Sequence, residues 1–135
     1  MNKKEYLSQA FVLNRRIELK EKRIDALRAS IGCTSSNPDE VRVKSEPHST
    51  FETMLMIVLD LENEVKKEKE ELEKLKMEIW KAIHAIGDDS VEGVLVLRYI
   101  GFKNWDEIAA SYGHSLDYVY RQHRRGMDML RACNL

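Results

Sequence analysis

A seven-residue apolar repeat covers nearly half of this chain and narrows its possible folds more than any other feature. Ala10, Ile17, Ile24 and Ile31 recur at every seventh position, with Tyr6, Leu13 and Leu27 on the interleaved seam and Lys20 as an exception. The repeat resumes with Phe51, Val58, Val65, Leu72, Ile79 and Ile86 against Met54, Leu61, Leu75 and Ala82, and it breaks at Glu68. Seven residues carry an α-helix through almost two turns, so such a repeat lays its apolar side chains along one narrow stripe. That stripe needs a partner helix, which is the signature of a coiled coil.

The punctuation between the seams predicts an all-α chain. Both prolines, Pro38 and Pro47, fall in "GCTSSNPDEVRVKSEPHST", which places a polar loop at residues 32–49. Ser49, with Glu52 three residues on, suits the start of the second helix as a capping box. Gly32, Gly87, Gly101 and Gly113 each follow the end of a periodic run, where a glycine closes a helix in the left-handed conformation at little steric cost. Five helices are expected, near 3–31, 50–86, 89–100, 105–112 and 115–132. The first two would form an antiparallel helical hairpin over residues 1–86. Because the second is longer, Leu75, Ile79, Trp80, Ile83 and Ile86 need cover from the C-terminal helices, from another subunit, or from both. A homodimer through the long helices is the expectation, and a spacer or intramolecular brace is the alternative, since heptads ask for a partner helix without saying whose it is.

Residues 87–135 carry a different pattern. Asn104 can cap a helix with Glu107 at its third position, and Trp105, Ile108, Ala109 and Tyr112 form an apolar stripe. Gly113 supplies a turn, Ser115 caps the next helix, Val119 points inward, and Leu130 continues the inward stripe. A small residue, a glycine four positions on and an aliphatic residue six beyond that match the spacing of a DNA-binding helix-turn-helix. The core of that motif would be Trp105, Ile108, Ala109, Gly113, Val119 and Leu130, with residues 115–131 as the recognition helix in the major groove. Stepping 100° per residue from Val119 turns Asp117, Arg121, Arg124 and Asp128 outward, with Tyr118 and Arg125 on the flank. Asp117, Tyr118 and Arg121, near the helix start, are the candidates for reading bases. Lys103, Ser115, Arg124 and Arg125 are the candidates for holding phosphates.

Charge is segregated in a way that leaves room for this. The formal net charge is −1, yet residues 3–31 hold eight basic against four acidic side chains, residues 32–97 eight against fifteen, and residues 98–135 six against four. A local DNA-attracting face can exist on a chain that is nearly neutral overall. Other chemistries lack their motifs. No run approaches the roughly 18 apolar residues of a spanning helix, and the opening "MNKKEYLSQAF" is amphipathic where a signal core would be apolar, so a cytoplasmic protein without membrane contact is expected. Cys33 and Cys133 form no CxxC pair, and His48, His84, His114 and His123 show no ligand spacing, so neither a metal nor another cofactor is expected. The absence of a phosphate-cradling glycine loop, an HExxH and a nucleophile elbow argues against an enzyme.

The segment "VLRYIGFKNWDEIAASYGHSLDYVYRQHRRGMDMLR" resembles the fourth region of bacterial sigma factors, through Leu97, Arg98 and Tyr99, then Glu107, Ile108 and Ala109, then Ser115 and Val119, and finally His123, Leu130 and Arg131. Over nearly its whole length the chain is similar to the phage and prophage transcriptional regulators of the ArpU and RinA kind. The similar stretches are Lys4 to Leu7, Gln9, Ala10, Leu13, Arg16 and Ile17, then Asp60 to Glu62 and Glu64, and then the motif itself. The resemblance implies a regulator of phage genes that binds double-stranded DNA, works with RNA polymerase, and resides at the nucleoid of a bacterial host. Two positions depart from the pattern. Gln122 stands where an aliphatic residue is usual, so the recognition helix either packs less tightly there or uses the amide in a hydrogen bond. Gly126 replaces an alanine at a cost of about 0.5 to 1 kcal/mol in a helix interior. The competing readings are a small-terminase-like packaging protein, which would form rings, and a helical adaptor or inhibitor of a host protein.

Overall fold

The computed structural model describes residues 2–35 and 50–130, the side chains of 33–35 excepted. Most of the polar loop, the capping residue Ser49, His48, Arg131, Cys133 and the side chain of Cys33 therefore lie outside the described residues. Among the described residues there are five α-helices and no strand: α1 (Lys3–Ser35), α2 (Thr50–His84), α3 (Asp89–Tyr99), α4 (Trp105–Tyr112) and α5 (Leu116–Met129). The chain divides into two compact units, Asn14–Glu70 and Met1–Leu13 with Glu71–Leu135, so α1 and α2 each contribute to both.

In the unit of residues 14–70 the seam buries Ile17, Ile24, Val58 and Val65. Its two exceptions meet: Lys20 Nζ lies 2.7 Å from Glu68 Oε1 and 3.3 Å from Glu64 Oε1, and Arg16 approaches Glu68 Oε2 at 3.6 Å. Neither break is a defect in isolation, because an ammonium at one heptad position satisfies the carboxylate at the other. Lys69 pairs with Glu21 at 3.0 Å, and Arg28 pairs with Glu62. From Arg16 and Glu68 at one end to Arg28 and Glu62 at the other, partner numbers climb along α1 and descend along α2, so the two segments run in opposite directions within this unit.

The second unit has a denser core. Leu7 and Ala10 of α1, Ile79 and Ile83 of α2, Val91, Val94 and Leu95 of α3, Ile108 of α4 and Val119 of α5 have no exposed surface. Ile79 and Ile83, part of the surplus expected from the longer second helix, are thus enclosed within the single chain. Trp80 remains 41% exposed and stacks on His84 at 4.6 Å between ring centroids.

Two of the four helix-closing glycines behave as expected, Gly87 with φ 78° and Gly113 with φ 65°. Gly32 does not end its helix, because α1 continues to Ser35. A glycine inside a long helix costs only about 1 kcal/mol, too little to stop it. Gly101 is not left-handed either; Phe102 is, with φ 58°. Ile100 and Gly101 both donate to the carbonyl of Val96 at 2.9 Å, and Lys103 donates to Leu97 at 2.9 Å. A Cβ at Gly101 would stand 3.0 Å from the Leu97 oxygen, so glycine serves this turn by close approach. The Phe102 ring meets Phe11 edge-on at 6.1 Å and lies beneath the Lys76 ammonium, contacts that offset a left-handed cost of about 1 kcal/mol or more.

Gly126 also proves to be a packing residue. A Cβ there would meet Leu95 Cδ1 at 2.7 Å and Val91 Cγ1 at 2.9 Å, so the missing side chain is what lets α5 seat against α3. The remaining boundaries differ from expectation by up to three residues, with α5 ending at Met129 and Leu130 taking an extended conformation while staying 2% exposed.

Candidate nucleic-acid interface

Local chemistry sets the two helices that carry the candidate site. The Asn104 side chain accepts from the backbone N–H of Glu107 at 2.8 Å, and Glu107 accepts from Asn104 N–H at 3.3 Å, a reciprocal capping box at the start of α4. At the far end Gly113 bends the chain, Gly113 N–H bonding to Ala110 and His114 N–H to Ala109. Ser115 then caps α5 by accepting from the Tyr118 N–H at 3.2 Å. Val94, Ile108, Ala109 and Val119 form one buried cluster, with Trp105 and Tyr118 partly buried against it. Five of the six predicted core positions pack inward or against that core, and Gly113 occupies the exposed turn. Tyr112 departs from its expected apolar stripe. It is 38% exposed, and its hydroxyl lies over Gly93, where an added Cβ would come within 1.8 Å of it.

The outward ridge of α5 follows the helical wheel. Asp117, Arg121, Arg124 and Asp128 are all exposed. Arg121 Nε sits 3.4 Å from Asp117 Oδ2 one turn earlier, an ion pair so open to solvent that it holds Arg121 by less than about 1 kcal/mol. The Arg124 side chain makes no hydrogen bond or ion pair among the described residues. Tyr118 is only partly exposed and stacks on His114 at 3.9 Å, which holds its ring in one orientation. Ser115, committed to the cap, still presents an exposed surface at the mouth of the helix. Lys103 lies in the loop before α4, half exposed and 4.0 Å from Glu107.

Arg125 has a second allegiance that the sequence does not reveal. Its Nη2 donates to Asp88 Oδ2 at 3.2 Å, and its Nη1 donates to the buried Gln122 amide oxygen at 3.1 Å. Asp88 in turn caps α3, its other carboxylate oxygen accepting from the N–H groups of Ser90 and Val91. Of the two alternatives for Gln122, the structure shows the hydrogen bond. Arg125 thus ties α5 to the start of α3, although over half of its side chain remains in solvent.

The other flank of α5 is aromatic. Trp105 meets Tyr120 and His123 edge-on at 5.3 and 4.9 Å, and the Arg98 guanidinium lies 4.5 Å from the Trp105 ring while donating to the Lys103 carbonyl. Tyr99 Oη and His123 Nε2 share a hydrogen bond of 2.7 Å. Burial, and then the charges of Arg98 and Lys4, push the His123 imidazolium down to about 4. At neutral pH this ring is therefore an uncharged structural member. Burial also raises the Tyr99 phenol. Periodicity alone would not identify Arg98 as the brace of the loop that presents Lys103.

Among the described residues, no group of three His, Cys, Asp or Glu side chains could hold a metal ion, and no helix is long and apolar enough to cross a membrane. Comparison of the chain with protein-family models, with curated proteins and with solved structures found no match.

Proposed function

We propose that the chain is a sequence-specific DNA-binding transcriptional regulator of phage or prophage genes, with α5 as the recognition helix. The observation that carries this reading is the ridge on α5. Arg121 and Arg124 project outward beside Asp117, above a core of Val94, Ile108, Ala109 and Val119. A helix held by its inner face and bare along its outer one fits the major groove of B-form DNA, with residues near its start meeting base edges. Arg121 would bridge two guanine acceptors, Asp117 would accept from cytosine, and the oriented Tyr118 ring would touch a thymine methyl. Lys103, Ser115, Arg124 and the exposed part of Arg125 would meet phosphates.

The apolar side chains left on the first turns of α2, Phe51, Leu55, Met56 and Leu59, support a role for the long helices in pairing two copies or in contacting RNA polymerase. Selection of bound sequences from random duplex DNA, with solution mass measured alongside, tests the whole reading. One enriched site whose affinity falls steeply with salt is the expected outcome. Arg121→Ala should cost about 1 to 3 kcal/mol at one base pair, and Arg124→Ala should weaken all sequences alike. A large ring would favour packaging instead, and salt-independent or absent DNA binding would favour a protein adaptor.

A further inference from the structure

A helix lying in the major groove is bordered by two phosphate rims, one on each flank. At 100° per residue, Arg125 stands on one flank of α5, while Tyr120, His123 and Met127 turn toward the other. On that side α5 itself supplies only Arg124, which stands near the outward ridge, and α1 brings a further cation to the flank. Lys3 Nζ donates to the carbonyl of Met127 at 2.8 Å, satisfying an acceptor in the last turn of α5, where a positive charge also complements the helix dipole. This bond fixes the first turn of α1 beside the second half of α5. Leu7 and Ala10, both fully buried, anchor the next turns. Lys4 is exposed, its side chain makes no hydrogen bond or ion pair among the described residues, and its charge lies near enough to His123 to oppose protonation of that ring.

We infer that Lys4, held by the Lys3–Met127 contact on the flank of α5 opposite Arg125, binds the second phosphate rim of the duplex that α5 enters. The inference rests on the DNA-binding reading and adds to it. It assigns a backbone contact to a residue outside the C-terminal helices, and it makes the footprint two-sided across the groove. Lys3 is the positioning residue, since its ammonium is engaged by Met127, and Lys4 is the ligand.

The test is binding of a fluorescent mixed-sequence duplex by the full chain across a salt titration, for the wild type and for Lys4→Ala, Lys4→Arg, Arg124→Ala and Lys74→Ala. Each lost phosphate contact lowers the slope of log affinity against log salt by about 0.9. Lys4→Ala and Arg124→Ala are each expected to show that drop, with affinity down on the order of three- to tenfold for every sequence. Lys4→Arg is expected to restore both. Lys74, an exposed lysine of α2, controls for general charge, and its removal is expected to leave the slope unchanged. If the wild type and Arg124→Ala behave as expected while Lys4→Ala keeps the full slope, this inference fails and the DNA-binding reading stands. An equal drop for Lys74→Ala would also overturn it, by showing long-range charge in place of a contact. A wild type without salt-dependent binding brings both down.

Discussion

The two units of this chain differ in what they place at the centre of their packing. In residues 14–70 the middle layer of the seam is ionic, Lys20 against Glu68, and many large apolar side chains are left outside it, Leu19, Leu55, Met56, Ile57 and Leu59 among them. The unit with the C-terminal helices puts fully enclosed aliphatics at its centre and keeps its polar bonds at helix ends and flanks, as with Asp88, Asn104 and Ser115. The difference separates two ways of defining a structure. A close-packed core specifies geometry through volume, so small changes are costly. A partly buried ionic layer contributes little net stability but penalises every register in which either charge goes unpaired.

The largest expected effect tests the volume side of this contrast. Ile108→Ala removes a side chain with no exposed surface from the cluster of Val94, Ala109 and Val119, and should cost about 2 to 5 kcal/mol in chemical denaturation. Ile24→Ala, at a seam position that keeps 8% of its surface, should cost less because the site opens to solvent. Equal losses would mean that the seam is packed as tightly as the core.

Next in size are two glycines within the same unit. Gly126→Ala should destabilise by about 1 to 3 kcal/mol despite better helix propensity, because the new methyl meets buried Leu95 and Val91 side chains that have nowhere to go. Gly93→Ala faces a still shorter contact, 1.8 Å, but with the hydroxyl of a tyrosine that can swing into water. That variant should be near neutral, with the gain of up to about 1 kcal/mol in helix propensity set against the displaced ring. Thermal midpoints of the pair decide whether enclosure or mere proximity sets the cost.

Acid should then distinguish the units through His123. Its pKa falls to about 4 in the folded chain from 6.5. The unfolded chain therefore binds the proton first, and the stability tied to the neutral ring is complete above pH 6.5 and lost as pH falls toward 4. With the ring only partly shielded, screening reduces the effect to roughly 1 kcal/mol. His123→Gln should flatten this part of the stability profile, and an unchanged profile would remove His123 as its source.

How much of this was legible in the sequence depends on the distance over which each feature is determined. The capping box of Asn104 and Glu107, the Ser115 cap, the left-handed Gly113 and the outward set of Asp117, Arg121 and Arg124 are all fixed within a few residues, and each stands where the local pattern puts it. So does the seam, whose repeat announces a stripe. The misplaced features answer to distant partners. Arg125 is tied to Asp88, 37 residues away, and Lys3 to Met127, 124 away. Gly126 looks like a helix-propensity defect until Val91 and Leu95 are seen against it, and Phe102 takes the left-handed turn in place of Gly101 because its ring has Phe11 and Lys76 to meet. Lys20 and Glu68 appear as separate interruptions because nothing local says that they face each other.

The smallest expected change in stability is also the sharpest test of what the ionic layer does. Replacing Lys20 and Glu68 together by leucine restores an unbroken apolar seam of similar volume, and such exchanges are often neutral or stabilising. The single variant Glu68→Ala should instead destabilise, since Lys20 loses its nearest acceptor and keeps only Glu64. The hydrogen bond to Glu68, foremost among the causes, raises the Lys20 ammonium above its usual 10.5, so its contribution persists through neutral pH and is lost only as pH rises past that value. The double leucine variant should keep or gain thermal stability while losing uniqueness, seen as mixed oligomers in solution mass or broadened amide resonances in residues 14–70. If it stays as homogeneous as the wild type, register is fixed by the outer pairs Arg28–Glu62 and Glu21–Lys69, and the ionic layer specifies nothing that the seam does not already determine.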